Sequence, residues 1–98
     1  MEIAGFDWDD GNRTKCGKHG VSVETIESLF RRGVIVLPDD DHSQRERRFR
    51  AVGRSAENRA LFVVFTLRDR LGERLIRPIS ARYMHKKEAE HYAETYEA

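Results

Sequence analysis

A chain of 98 residues has room for one hydrophobic core and not for two, so a single domain spanning residues 1–98 is expected. Charged residues make up 36% of it and hydrophobic ones 39%, and the apolar residues gather in short segments, the composition of a folded domain rather than a disordered chain. The single cysteine, Cys16, excludes an internal disulfide and a Cys-based zinc site. The N-terminal stretch has no signal-type pattern, and no apolar run reaches membrane-spanning length, so a cytoplasmic location is expected.

The net charge of +1 conceals a segregation. Residues 45–87 carry 13 Lys or Arg against 4 Asp or Glu, whereas residues 1–44 and 88–98 each sum to −4. Fourteen of the 18 basic residues are Arg, whose planar fork suits bidentate contact with phosphate. A cationic surface can therefore be built without a high overall charge. The plainer alternative is a solvated face laced with ion pairs.

In chain order, Ile3–Asp9 alternates weakly and predicts a short strand, after which Asp9 caps a helix from Asp10 to Lys18. That helix, D-D-G-N-R-T-K-C-G-K, has two glycines and almost no apolar face, so neither propensity nor burial accounts for it. On a helical wheel Asn12, Lys15, Lys18 and His19 form one polar, cationic face. Gly20 is expected at C′ of this helix and Ser22 at the N-cap of the next, in which Val23, Ile26, Leu29 and Phe30 make an apolar stripe. The K-H-G-V-S stretch thus reads as a helix–helix junction with Lys18 and His19 at a helix C-terminus, where the dipole favours cations.

Gly33 is expected to stop the second helix before V-I-V-L, and Pro38 with D-D-D-H-S makes a polar loop. Three strands follow, around R-R-F-R-A-V-G-R, R-A-L-F-V-V-F-T-L-R and E-R-L-I-R-P-I-S-A-R, joined by the short turns S-A-E-N and D-R-L-G as an antiparallel meander. Leu61–Phe65 should be central, and Pro78 implies an edge or a bulge in the last strand. From about Met84 a C-terminal helix shows Ala89, Tyr92, Ala93 and Tyr96 on one face. The expected fold class is α+β: a small, mostly antiparallel sheet with two N-terminal helices and one C-terminal helix.

No phosphate-loop, nucleophile-elbow, H-E-x-x-H or dinucleotide-binding pattern is present, and His85 and His91 lack acidic partners at ligand spacing, so no metal and no cofactor is expected. Polar residues on strands and helix ends remain. Simple alternation puts Arg77 between Leu75 and Ile79 on one strand face and Ser80 with Arg82 on the other, while Arg54 and Arg68 end neighbouring strands. An Arg among apolar residues needs an anion; Glu24, Glu73 or Asp69 would serve structurally, and a phosphate would serve functionally. Such a set suits RNA cleavage, in which the substrate's own 2′-OH is the nucleophile and the protein stabilises the phosphorane and moves protons. Lys or Arg would hold the charge, and His19 or His42 would move a proton, with Lys15 and Arg54 further candidates for holding RNA.

F-D-W-D, K-H-G-V-S followed by an amphipathic helix with Glu24, D-x-D-H-S, R-F-x-A-V-G-R, L-F-V-V-F-T-x-R and R-x-I-S-A-R, in this order over nearly the whole chain, resemble the BrnT family. The resemblance implies a RelE-like fold and a bacterial toxin of a type II toxin-antitoxin module. It implies a ribonuclease that blocks translation, neutralised by a BrnA-type antitoxin with a ribbon-helix-helix DNA-binding part; an oligomeric complex is expected, and the absence of metal-ligand spacing beside the Arg-rich strands makes the expected endoribonuclease metal-independent. Lys18, His19, Glu24, Arg68, Arg77, Ser80 and Arg82 fall on the family's recurring polar positions and are its implied catalytic set. H-S-Q-R-E-R-R and Pro78 depart from the usual pattern. The alternative is a non-catalytic module whose cationic face holds nucleic acid or an acidic antitoxin segment.

Overall fold

A computed structural model describes residues 3–40 and 45–97. In chain order they form β1 (Gly5–Phe6), α1 (Asp10–Gly17), α2 (Val23–Arg32), β2 (Ile35–Pro38), β3 (Phe49–Arg54), β4 (Ala60–Arg70), β5 (Glu73–Tyr83) and α3 (Lys86–Tyr96). One five-stranded sheet runs β1-β5-β4-β3-β2, antiparallel except for the parallel β1–β5 pair. This is the expected α+β architecture, with β4 at its centre. The first strand is shorter than Ile3–Asp9, because only Gly5 and Phe6 pair with β5, opposite Leu75 and Ile76.

One sheet face carries the core. Leu61, Val63 and Phe65 of β4, Ala51 of β3 and Ile76 with Ala81 of β5 pack with Cys16 of α1, Val21, and Ile26 with Leu29 of α2. Phe30, at 5.2 Å between ring centroids from Phe65 and 5.8 Å from Phe6, continues the core toward β1 in edge-on contacts. Ser22 caps α2 as expected, accepting from the Thr25 amide.

The packing explains why α1 forms without an apolar stripe. Asp9 and Asn12 make a reciprocal capping box, and the Asn12 side chain, 5% exposed, donates to the carbonyls of Asp7 at 3.0 Å and Pro78 at 2.8 Å. Cys16 is the only α1 side chain in the core, and burial pushes its thiol up to about 11. Asn12 therefore does not share the solvated cationic face expected of it; it is a buried pin that fixes α1 against β5. The helix ends at Gly17, with Lys18 as cap, so Gly20, which takes the positive φ of +81° that closes the turn, stands at C″ and not at the C′ position expected for it.

Pro78 marks a bulge and not a sheet edge. Val64 pairs with Ser80 and Phe65 with Pro78, which leaves Ile79 as the extra residue on β5. Alternation therefore resets. Arg77 (opposite Thr66), Ser80 (opposite Val64) and Arg82 (opposite Phe62) all fall on the sheet face away from the core, where simple alternation had separated Arg77 from the other two.

Candidate phosphate-binding groove

The described residues leave the sheet face opposite the core open in its middle. There Ser80 and Arg82 of β5, Phe62 and Val64 of β4 and Arg50 of β3 form the floor of a groove of about 380 Å³. Lys15 of α1 and His19 of the turn that follows it wall it on the β5 side because Asn12 holds α1 beside that strand. Asp39 and Arg48 wall the far side, brought together by the Asp39 amide donating to the Arg48 carbonyl as the β2–β3 ladder runs out. Among the described residues four permanent cations thus face one carboxylate, with an imidazole and a hydroxyl among them.

Two of the cations are fixed around one ring. The guanidinium carbons of Arg50 and Arg82 lie 5.5 Å and 4.7 Å from the centroid of Phe62. Arg82 also gives Nη1 and Nη2 to the two oxygens of Glu88 at 2.8 and 2.9 Å. That pairing, with the His85 amide, holds the Glu88 carboxyl down to about 2 and raises the pKa of Arg82. Arg50 and Lys15 have no carboxylate partner among the described residues. Their charge is available to an incoming anion, and a half-enclosed setting strengthens that attraction over its value in water.

The remaining sequence candidates lie around this groove or away from it. Arg77 lines an adjoining hollow with Asp9, Asp10, Asn12 and Lys15. It pairs with Asp9 at 2.9 Å and Asp7 at 3.5 Å, not with Glu24, Glu73 or Asp69, because the parallel β1–β5 pairing delivers F-D-W-D beside it while Arg74 takes Asp69. The Asp9 carboxyl is lowered by the Asn12 amide first and by Arg77 second. Arg68 is bound to Glu46 at 3.2 Å, where Thr66 also ties residues 45–48 to β4 through the Arg47 carbonyl. Arg54 lies at the other end of the sheet, held by Glu97 at 2.7 and 2.8 Å and stacked near Tyr92. Lys18 and Glu24 are exposed and do not line the groove. His42 lies outside the described residues.

Arg48, Arg50 and Asp39 line the groove without having been singled out from the sequence. The alternation of Arg48 and Arg50 with Phe49 and Ala51 is the signal that points to them. Among the described residues no three His, Cys, Asp or Glu side chains are grouped as metal ligands would be.

A small α+β protein with an arginine-rich groove across the exposed face of its sheet, bearing an imidazole and a hydroxyl among its described residues, belongs chemically with proteins that handle phosphate esters. The family model described as ribonuclease toxin, BrnT, of type II toxin-antitoxin system matches residues 8–88, and the chain belongs to that family. A search of curated proteins finds no match. Membership makes the chain one of a family of ribonuclease toxins, with RNA as substrate class and an antitoxin as partner. No helix among the described residues is long and apolar enough to cross a membrane.

Proposed function

We propose that the chain is a metal-independent endoribonuclease whose reaction takes place in the groove around Ser80. The observation that carries this is the placement of Lys15 and Arg50, two cations without carboxylate partners among the described residues, in the same groove as His19, Ser80 and Arg82. The RNA 2′-oxygen attacks the adjacent phosphorus, the P–O5′ bond breaks, and a 2′,3′-cyclic phosphate and a 5′-hydroxyl remain. Lys15 and Arg50 offset the charge that grows on the non-bridging oxygens, Arg82 adds to that field from a position fixed by Glu88, Ser80 donates a hydrogen bond to the phosphate, and His19 moves a proton. Arg77 and Arg68 extend the cationic track along the same sheet face and hold flanking phosphates. Lys18 and Glu24 are given no step, since neither lines the groove.

In this reading the chain acts in the cytoplasm, cutting RNA blocks translation, and a BrnA-type antitoxin with a ribbon-helix-helix part neutralises the chain and carries the complex to promoter DNA. The purified chain, freed of antitoxin, should cut RNA in EDTA and leave 2′,3′-cyclic phosphate ends. Cleavage that requires a divalent ion, or that leaves 3′-hydroxyl ends, overturns the mechanism. Binding without cleavage turns the reading into that of a non-catalytic module.

A further inference from the structure

The core-bearing face of the sheet is not fully covered by the described residues. Below the C-terminal end of α2 an almost wholly apolar trough of about 340 Å³ runs toward β2. Phe30, Val34, Phe49 and Leu67 line it, and its rim is formed by Val36 and Ile3, which are 49% and 40% exposed. Apolar side chains left open together in this way mark a contact surface, whereas one scattered exposed apolar residue does not. The trough ends at β2, the outermost strand of the sheet, whose free edge no described strand covers. A free edge offers backbone donors and acceptors to an added strand. Register places Val36 opposite Ala51, on the trough side, so a strand added to β2 would set alternate side chains directly over the trough.

The charges around the trough decide what kind of chain fits. Arg32, at the end of α2, is exposed and has no partner among the described residues, and Arg47 stands over Phe49, 5.8 Å from its centroid. A second copy pairing edge to edge through β2 would offer these arginines no carboxylate from the strand itself, since Ile35–Pro38 carries no charge. A segment that alternates apolar residues with Asp or Glu meets both features. We infer that the β2 edge and its apolar trough form the docking surface for an acidic, extended segment of the antitoxin, on the sheet face opposite the ribonuclease groove. This rests on the toxin-antitoxin reading above and adds to it a place and a chemistry of contact. It has a mechanistic consequence: a segment seated here leaves the groove open, so neutralisation needs a second contact or a change transmitted through the sheet.

The test co-expresses the chain with the product of the adjoining reading frame and compares it with Val36→Glu and Val36→Ala. The expected results are a complex with the unaltered chain, loss of affinity on the order of tenfold or more for Val36→Glu, a smaller loss for Val36→Ala, and slowed amide exchange across residues 34–38 in the unaltered complex. Because Val36 is half exposed, the variants should fold, and exchange in the unaltered chain requires no variant. If no complex forms, both the antitoxin reading and this surface fall. If a complex forms with unchanged affinity for Val36→Glu and no protection at 34–38, only the docking surface is overturned. Self-association of the isolated chain that Val36→Glu abolishes assigns the surface to a second copy and overturns the inference as well.

Discussion

Arg82 and Glu88 are joined by two hydrogen bonds, Nη1 to Oε1 at 2.8 Å and Nη2 to Oε2 at 2.9 Å, across the junction between β5 and α3. The same carboxylate accepts from the His85 amide and so caps α3, which makes one side chain responsible both for aiming a groove arginine and for starting a helix that has no fully buried residue.

An acid-side loss of stability follows. The Glu88 carboxyl is held at about 2 in the folded chain against an ordinary value of 4.5. A depressed folded pKa contributes stability that is present above pH 4.5 and disappears as the pH falls toward 2. Asp9, lowered by the Asn12 amide and Arg77, acts in the same direction. Melting temperatures measured from pH 6 down to pH 2 should fall in this window, and Glu88→Gln should flatten part of the fall. Parallel curves for the two proteins would show that the pair contributes nothing.

Asn12→Ala tests the polar pin of α1. Removing a side chain that satisfies the buried Pro78 carbonyl and closes the capping box should cost about 1–3 kcal/mol in urea unfolding. It should also lower RNA cleavage, because Lys15 and His19 hang from the helix it anchors. Full activity in a destabilised variant would separate α1 from the site.

Three glycines should behave differently. Gly20, at φ +81° with open space around it, tolerates volume but not backbone strain, so Gly20→Val should cost about 1–2 kcal/mol. Gly53→Ala places a Cβ 2.9 Å from Leu29 Cδ1 and 3.3 Å from the Gly33 carbonyl oxygen, and overpacking of that kind costs about 1–3 kcal/mol. Gly17→Ala, inside α1 with nothing near, should be neutral or stabilise by up to about 1 kcal/mol. Chemical denaturation of the three variants checks the order.

These residues also show how far the sequence could be read. Elements defined by strong periodicity or caps, such as α2 behind Ser22 and β4 at Leu61–Phe65, were legible because local pattern and tertiary packing agree there. The face carrying Arg77, Ser80 and Arg82 was not, because a single extra residue at Ile79 inverts the alternation, and nothing local to β5 says whether Pro78 makes an edge or a bulge. The partners of Arg77 were hidden for a different reason. They come from the F-D-W-D stretch, whose Asp9 is 68 residues away in sequence, through a parallel pairing of only two residues. Lys18 and His19, adjacent in K-H-G-V-S, part company because α1 stops at Gly17 and the following turn leaves only His19 among the groove-lining residues.

That last division gives the most direct test of the central claim, that the groove around Ser80 is the ribonuclease site. Initial rates of RNA cleavage in EDTA should be measured for the unaltered chain and for His19→Ala, Arg50→Ala and Lys18→Ala, each verified to melt within a few degrees of the parent. Loss of the groove side chains should lower the rate on the order of 10²-fold or more, as expected for groups that move a proton or stabilise transition-state charge, while Lys18→Ala stays within a few-fold of the parent. Rates unchanged in His19→Ala and Arg50→Ala, with cleavage lost in Lys18→Ala, would contradict it and move the site to the exposed turn after α1.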